Sequence, residues 1–316
     1  MYAEYYGFSE MPFRLTPDSR FFFPSSEHSR ALSHLVFGLA HQEGFIVVTG
    51  EVGAGKTILL ERLWERLDRR SYLVGRIDTA QVAADDLLRL TAAGFGVGQG
   101  ADKAALLRGI AESLRAERMA GRRCLLVVDE VQALNLPALE ELRMLSNIAE
   151  GGRSLLQAVL LGQPQFRRTL ASPELDQLRQ RVLASYHLGP LNEGETRAYV
   201  EHRLRAVGWR DRPLWEEAAF DLVHQFTGGI PRRINRLCGR VLLHGAFERS
   251  EAISAEMVQV TAVELQEDLG DLQRLPRPEA EPDFLARLQA LETTVARRER
   301  VFTRLLDLFE DRGGPR

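Results

Sequence analysis

From residue 45 to about residue 190 the chain alternates short apolar runs with stretches of helical periodicity. The apolar, partly β-branched runs predict five strands: FIVVT (45–49), SYLVGRI (71–77), CLLVV (124–128), SLLQAVLL (154–161) and ASYHL (184–188). The spacing of apolar residues between them predicts helices around 56–69, 82–94, 102–120, 136–149 and 164–182. Apolar runs of this kind are typical of strands buried on both faces. The pattern therefore predicts an α/β fold, a parallel sheet with helices on each side.

The regions on either side of this alternation have different patterns. After Gly189–Pro190 the strands stop, and helical periodicity punctuated by glycine predicts an all-α domain over residues 191–270. Its expected helices are 192–207, 213–227, 231–249 and 253–269. Residues 1–44 form an aromatic lead-in, expected to lie across a domain surface with its rings packed, and a helix from about Ser26.

The last part of the chain is predicted to be a linker and a helix. Residues 271–283 contain the proline-rich stretch LPRPEAEPD, which is typical of a semi-rigid linker. Within 284–316 apolar residues recur at alternating steps of three and four, a short heptad pattern. Both a coiled coil and an amphipathic helix docked on its own chain are compatible with this pattern.

Composition and charge indicate a globular protein that is not a dedicated nucleic-acid binder. The formal net charge of the 316 residues is −3, whereas such binders carry a basic excess. We expect the two cysteines, Cys124 and Cys238, to be buried thiols. Neither a signal peptide nor an apolar run of about 20 residues is visible. The chain is therefore expected to be cytoplasmic and to reach a membrane only through partners.

The segment GEVGAGKT (50–57) matches the pattern G-x-x-x-x-G-K-[ST] between a predicted strand and a predicted helix. Its glycines let the backbone turn tightly and point N–H groups at phosphate oxygens, and the helix N-terminus adds positive charge. Lys56 is placed to reach the β- and γ-phosphates, and Thr57 to bind Mg²⁺ through its hydroxyl. We predict that nucleotide is bound by Gly50, Glu51, Val52, Gly53, Ala54, Gly55, Lys56, Thr57 and Ile58.

The apolar run CLLVV ends in two carboxylates, Asp129 and Glu130. Carboxylates at the end of a buried strand are unfavourable unless they serve a ligand. We predict that Asp129 binds Mg²⁺ together with Thr57, and that Glu130 orients the attacking water. Alone, such a pair is often a solvated strand end. Combined with a complete phosphate loop, it favours hydrolysis over binding alone.

Gln163 follows the predicted strand 154–161. It would lie beside the γ-phosphate if that strand neighbours the one before the phosphate loop. The alternative is a simple turn residue before Pro164.

Two pairs of arginines are further candidates. Arg179 and Arg181 stand at a predicted helix end before the last strand, from where an arginine can reach a neighbouring subunit's nucleotide. Ordinary surface arginines would look the same. Arg232 and Arg233 begin a helix, where their charge opposes the helix dipole, so an anionic phosphate is the expected reason for them.

Taken in order, these motifs resemble those of AAA+ ATPases over about residues 26–265. The lead-in YYGFSEMPFRLTPDSRFFF, followed by the phosphate loop, is similar to general secretion ATPases of the ExeA/GspA type. It is particularly similar to the secretion ATPase encoded at exosortase (PEP-CTERM) and exopolysaccharide loci of Gram-negative bacteria. The resemblance implies ATP as the nucleotide, a sheet in the order 5-1-4-3-2 and a helical lid that carries an arginine called sensor 2.

The resemblance also implies roles for the polar residues. Arg232 is the first choice for sensor 2 and Arg233 the second, while Arg181 is the first choice for an arginine finger and Arg179 the second. Gln163 stands where many AAA+ proteins have asparagine as sensor 1. A finger that acts in trans implies a homo-oligomer.

One feature departs from the family pattern. Proteins of the ExeA type can carry a transmembrane helix and a peptidoglycan-binding domain after the ATPase, whereas a linker and a heptad segment follow here. We therefore expect no peptidoglycan binding, and contact with a membrane export system through protein partners.

Three functional hypotheses follow. The first is an ATPase that drives or assembles a secretion or polysaccharide export apparatus. The second is a DNA-linked ATPase of the transposition-helper or initiator kind, which would need a basic surface or a winged helix after the lid. The third is a nucleotide-dependent scaffold with negligible turnover.

Overall fold

The computed structural model describes residues 2–16, 18–68, 70–78, 83–98 and 102–268. These residues belong to one compact unit. The predicted linker (271–283) and C-terminal helix (284–316) lie outside the described residues. The division into a lead-in, an α/β core and a lid stays a prediction.

A five-stranded parallel sheet forms the centre of the α/β region. Its strands are β1 (Phe45–Gly50), β2 (Tyr72–Asp78), β3 (Arg123–Asp129), β4 (Leu156–Gly162) and β5 (Val182–Leu188). They lie in the order β2-β3-β4-β1-β5, which confirms the predicted order 5-1-4-3-2. Thr49 pairs with Gly162, and Val128 pairs with Leu160, so β1, β4 and β3 end at the same edge.

Helices cover both faces of this sheet. The α-helices that precede β5 in the chain are α1 (Tyr2–Tyr6), α2 (Ser26–His41), α3 (Lys56–Arg66), α4 (Ala84–Gly94), α5 (Lys103–Met119), α6 (Leu136–Ser146), α7 (Gln165–Leu170) and α8 (Asp176–Arg179). Helices α4, α5 and α6 pack on one face of the sheet, and α2 and α3 on the other. Because each face of the central strands is covered, β1 and β4 are buried throughout and β3 is buried from Cys124 onwards, as their apolar sequences predict. The edge strands β2 and β5 keep exposed residues.

The predicted single helix 164–182 is wrong. The structure has α7, a 3-10 turn at Pro173–Leu175, and the short helix α8. Pro173 lacks a backbone N–H, and Ser172 before it is extended (ψ 149°), so the helix cannot run through this point.

Helices also dominate the region after β5. They are α9 (Glu193–Ala206), α10 (Glu217–Thr227), α11 (Pro231–Phe247) and α12 (Ala255–Asp268). A capping box of Asn192 and Glu195 begins α9.

The helix predicted from residue 213 starts only at Glu217, because Leu214–Trp215 pairs as a short parallel strand with Ala252–Ile253. A two-residue antiparallel ladder, Ala149–Glu150 with Arg153–Ser154, also precedes β4.

The aromatic lead-in packs into the helical region after β5. Its buried aromatic side chains share one apolar cluster with α9, α10, α11 and α12: Tyr2, Tyr6, Phe8, Phe13 and Phe21. The prediction that these rings pack is confirmed. They belong to a core, however, and do not merely lie on a surface. Both cysteines are buried free thiols, as predicted.

Candidate active site

The phosphate loop connects β1 to α3 at the carboxyl edge of the sheet. Gly53 and Gly55 adopt φ values of +83° and +102°, which side chains rarely tolerate. A Cβ on Gly53 would lie 2.2 Å from the Arg232 Cβ, and one on Gly55 would lie 2.6 Å from the His28 Nε2. At both positions, therefore, the backbone conformation and the close approach of a neighbouring side chain require glycine. The loop is a cradle of backbone N–H groups against which the helical region and α2 pack.

Lys56 begins α3 and is buried, with 6% of its surface exposed. Its Nζ donates to the carbonyl oxygens of Gly50 at 2.8 Å and Glu51 at 3.1 Å. Burial lowers the pKa of this amine, and the carboxylates of Glu130, Asp129 and Glu51 act in the opposite direction. The ammonium group is thereby held directly over the loop.

Asp129 ends β3 beside the start of α3. The Thr57 hydroxyl lies 3.4 Å from the Asp129 Oδ2 and donates to it, and the Glu130 backbone N–H donates to Oδ1 at 2.8 Å. Burial raises the pKa of Asp129, while the hydrogen bond from the Glu130 N–H and the positive charges of Arg76 and Lys56 lower it. A cation at this carboxylate would relieve the cost of burying it.

Thr57 and Asp129 offer the oxygen ligands that Mg²⁺ prefers, so the residues fit this metal. Among the described residues no group of three or more histidine, cysteine, aspartate or glutamate side chains could hold a metal ion. Mg²⁺ in nucleotide sites is usually held by one or two protein oxygens, phosphate and water, so these two ligands suffice.

Glu130 has a left-handed backbone (φ +51°), which is uncommon for a residue with a side chain. Its Oε2 accepts hydrogen bonds from the Gln163 Nε2 at 3.0 Å and from the Gln132 side chain. The Gln163 backbone N–H in turn donates to the Gln132 Oε1 at 2.9 Å. Two glutamines therefore fix the Glu130 carboxylate, and Gln163 lies there because β4 is adjacent to both β1 and β3.

A cleft of about 440 Å³ opens over the loop. It is lined by three parts of the chain: the lead-in with α2, the phosphate loop with Glu130, and the helical region. The lining residues are Arg14, Leu15, Thr16, Asp18, Phe21, Phe22, Phe23, His28, Val52, Gly53, Gly55, Lys56, Thr57, Ile58, Glu130, Tyr199, Arg203, Pro231, Arg232 and Asn235. Basic side chains outnumber acidic ones, which suits a polyanionic ligand.

Of the two arginines that begin α11, the structure brings Arg232 to the phosphate loop. Its backbone N–H lies 3.3 Å from the Gly53 carbonyl oxygen, and it lines the cleft. Arg233 does not line the cleft.

Arg179 and Arg181 lie at the opposite end of the sheet from the loop. The Arg179 guanidinium donates to the Ala171 carbonyl oxygen at 3.1 Å and pairs with Asp176. The Arg181 carbonyl oxygen accepts from the Phe45 N–H at the start of β1, and its guanidinium lies 3.4 Å from the Ser146 Oγ. Neither lines the cleft of its own chain.

Several residues that line the cleft were not predicted from the sequence: His28, Tyr199, Arg203 and Asn235. Ser25 caps α2 and its Oγ lies 2.7 Å from the His28 Nδ1, which turns the imidazole towards Gly55. Burial lowers the pKa of His28, so the ring is held neutral. These side chains lie on helices, where the spacing of apolar residues predicts only which positions are buried. No short sequence motif identifies them as residues of a binding site.

Three kinds of comparison agree with this architecture. Residues 39–170 match the family model described as an AAA domain. The chain is 38% identical over 251 residues to General secretion pathway protein A of Aeromonas hydrophila, an alignment that covers 79% of this chain and 45% of that protein. The chain thus spans less than half the length of this relative.

Among solved structures, the chain is similar to Cdc6p from Pyrobaculum aerophilum, with a TM-score of 0.64 and 18% identity over 80% of this chain and 73% of that one. It is also similar to the RuvB Holliday junction branch migration motor of Thermotoga maritima, with a TM-score of 0.53 and 17% identity over 81% and 74%. At such identities the likeness concerns the fold alone. In the described part of the chain, no helix is both long and apolar enough to span a bilayer.

Proposed function

We propose that this chain, an AAA+ P-loop protein related to General secretion pathway protein A, is an Mg²⁺-dependent ATPase of the ExeA/GspA type. The observation that carries the proposal is the arrangement of Asp129 and Glu130 at the phosphate loop. Thr57 contacts one carboxylate, and Gln163 holds the other. Such a pair beside a phosphate cradle suits hydrolysis better than binding alone.

Each side chain has a definite task in this reaction. The loop N–H groups and Lys56 bind the β- and γ-phosphates, and Thr57 and Asp129 hold Mg²⁺, which neutralises phosphate charge when bound. Glu130 accepts a hydrogen bond from the attacking water and polarises it, while Gln163 keeps its carboxylate in place. Arg232 contacts the phosphates from the helical region as sensor 2, with Arg233 as the alternative.

We further propose that a second copy of the chain completes the site. Arg181, with Arg179 as the alternative, lies far from the loop of its own chain, so it can stabilise the developing phosphate charge only in a neighbour. Arg181 is preferred because Arg179 is tied to Asp176 and Ala171. The protein would then act as a nucleotide-dependent homo-oligomer.

The system we propose it to serve is a bacterial export apparatus, of the secretion or exosortase-linked exopolysaccharide kind. Similarity to General secretion pathway protein A supports the secretion role. The lead-in motif supports the exosortase link. Association with the inner membrane would then come through protein partners.

Hydrolysis is tested with Glu130→Gln, which keeps the shape of the side chain and removes its basic oxygen. We expect ATP binding to persist and phosphate release to fall by about 100- to 1000-fold. Glu140→Gln, a change of an exposed carboxylate of α6 that pairs with Arg143 and does not line the cleft, is the matched control and should retain activity. Phosphate release equal to wild type in Glu130→Gln would refute hydrolysis at this site and favour the scaffold hypothesis.

The export role is tested in the cell. A chromosomal Glu130→Gln replacement should reduce surface polysaccharide or export of the cognate proteins while the protein level stays normal. Unchanged export from an ATPase-dead strain would contradict the role. Salt-sensitive, ATP-independent binding of duplex DNA by the purified protein would favour the DNA-linked alternative instead.

A further inference from the structure

Arg203 of α9 is a buried arginine beside the cleft, with only 5% of its surface exposed. Its Nε donates to the Pro12 carbonyl oxygen at 2.7 Å, and its two terminal nitrogens donate to the Tyr199 hydroxyl at 2.8 Å and the Arg14 carbonyl oxygen at 3.3 Å. Each of these acceptors is neutral. Two of them belong to the lead-in, so the side chain ties that segment to the helical region.

Aromatic rings surround the same guanidinium. Its central carbon lies 4.7 Å from the centroid of the Phe21 ring and 5.7 Å from that of Tyr199. A planar guanidinium can stack on rings while it donates in several fixed directions, whereas a lysine ammonium is a compact charge on a flexible stem. The position therefore uses the geometry of arginine as well as its charge.

The contacts continue from Arg203 to the phosphate loop. The Tyr199 hydroxyl donates to the Asn235 Oδ1 at 2.9 Å. Asn235 lies one turn after Arg232 on α11, and the Arg232 backbone N–H contacts the Gly53 carbonyl oxygen. Polar contacts that meet on one turn of α11 thus join the lead-in, α9, α11 and the loop along the wall of the cleft.

Arg203, Tyr199 and Asn235 all line the cleft. Arg232 reaches the loop that would bind the phosphates, so the part of the cleft beside Tyr199, Arg203 and the lead-in rings is left for the nucleoside. Its aromatic and polar lining is the kind that small-molecule pockets use to fix a ligand's orientation.

From this network we infer that Arg203 is a positioning residue for the nucleoside end of the ATP site. It holds the lead-in in a fixed position against α9 and α11. The wall of the cleft that faces the phosphate loop therefore keeps the shape that the nucleoside would bind. Its action is indirect, through Pro12, Arg14, Phe21 and Tyr199. This inference rests on the proposed nucleotide site.

The test compares Arg203→Lys with Arg205→Lys in the full chain. Arg205 stands two residues away on α9, is largely exposed and pairs with Glu201, so its replacement controls for loss of an arginine from this helix. Calorimetry measures equilibrium binding of two probes, ADP and inorganic tripolyphosphate. The rate of trypsin cleavage after Arg14 in saturating ADP reports how firmly the lead-in is held.

We expect Arg203→Lys to weaken ADP binding by about ten-fold, since hydrogen bonds of a charged group are lost. Tripolyphosphate binding should stay within about two-fold, because lysine keeps the charge and the loop is unaltered. Cleavage after Arg14 should be faster than in Arg205→Lys. The inference is overturned if the two variants bind ADP alike, or if Arg203→Lys weakens both probes equally.

Tyr199→Phe keeps the test decisive if Arg203→Lys does not fold. It removes only the hydroxyl that bridges Arg203 and Asn235, and it should weaken ADP binding by about three-fold or more with tripolyphosphate unaffected. ADP binding unchanged in Tyr199→Phe would count against the inference. Failure of the proposed nucleotide site gives a different result, since wild type would then bind neither probe.

Discussion

The two walls of the cleft are built in opposite ways. The phosphate-loop wall comes from strand ends: the loop that leads to Lys56 follows β1, Asp129 ends β3, and Gln163 follows β4. The facing wall comes from the lead-in and the helical region, and its central contact joins Arg203 to Pro12, 191 positions away in the chain. One wall is specified by short motifs, and the other by the tertiary packing of distant segments. The catalytic residues can therefore be predicted from the sequence, while the shape of the nucleoside end of the cleft cannot.

Lys56→Ala breaks the motif-built wall and should have the largest effect. Removing the buried ammonium should weaken ATP, ADP and tripolyphosphate binding alike, each by at least about 100-fold, because a charge-assisted phosphate contact is lost. Calorimetry with the three probes measures this. The control is Lys103→Ala, since Lys103 is the only other lysine in the sequence, contacts Glu141 and does not line the cleft. Retained tripolyphosphate binding in Lys56→Ala would place the phosphates elsewhere.

This contrast also explains what the sequence could predict. The strands and the positions of Asp129, Glu130 and Gln163 were accessible from the sequence pattern, since buried parallel strands are apolar and their polar residues collect at the carboxyl ends. The order of the sheet was implied by the family resemblance alone. The contact between Gln163 and Glu130 required β4 to neighbour β3, which the family resemblance implied.

Other features depended on tertiary contacts, which the spacing of apolar residues along the chain does not reveal. Pro173 interrupts what looked like one helix, and Leu214–Trp215 pairs with a strand close to 40 positions away, so α10 starts late. His28 and Tyr199 look like ordinary helix residues in sequence. The place of Tyr199 follows from how the lead-in and α9 pack on α11, and that of His28 from how α2 packs on α3 and β5.

Arg181→Ala tests whether the motif-built wall is complete within one chain. We expect nucleotide binding to be retained and turnover to fall by about 100-fold, because the trans charge on the developing phosphate is missing. Arg179→Ala should have a smaller effect, because Arg179 is engaged with Asp176.

Mixing variants gives the sharper readout. Arg181→Ala has an intact loop without a finger, and Lys56→Ala has a finger without a working loop. A mixture of the two should regain phosphate release that neither shows alone. If it regains none, although size measurement shows that the two variants co-assemble, the finger assignment is wrong.

Arg232→Ala probes the point where the two walls meet. Its effect should be smaller than those of Lys56→Ala and Arg181→Ala. We expect ATP affinity to fall by about ten-fold, since one charged phosphate contact is lost while the loop remains. Arg233→Ala, one residue further along α11, should bind ATP as wild type does because Arg233 does not line the cleft. The reverse ranking would make Arg233 the phosphate contact.

The central claim is that Glu130 performs the hydrolytic step at the loop that binds ATP. A single-turnover measurement tests it most directly, because it follows conversion of enzyme-bound, labelled ATP to ADP with Mg²⁺ and is independent of product release. We predict that ATP bound to Glu130→Gln remains intact over times in which the wild-type protein converts it completely. Formation of ADP by Glu130→Gln at the wild-type rate would contradict the claim.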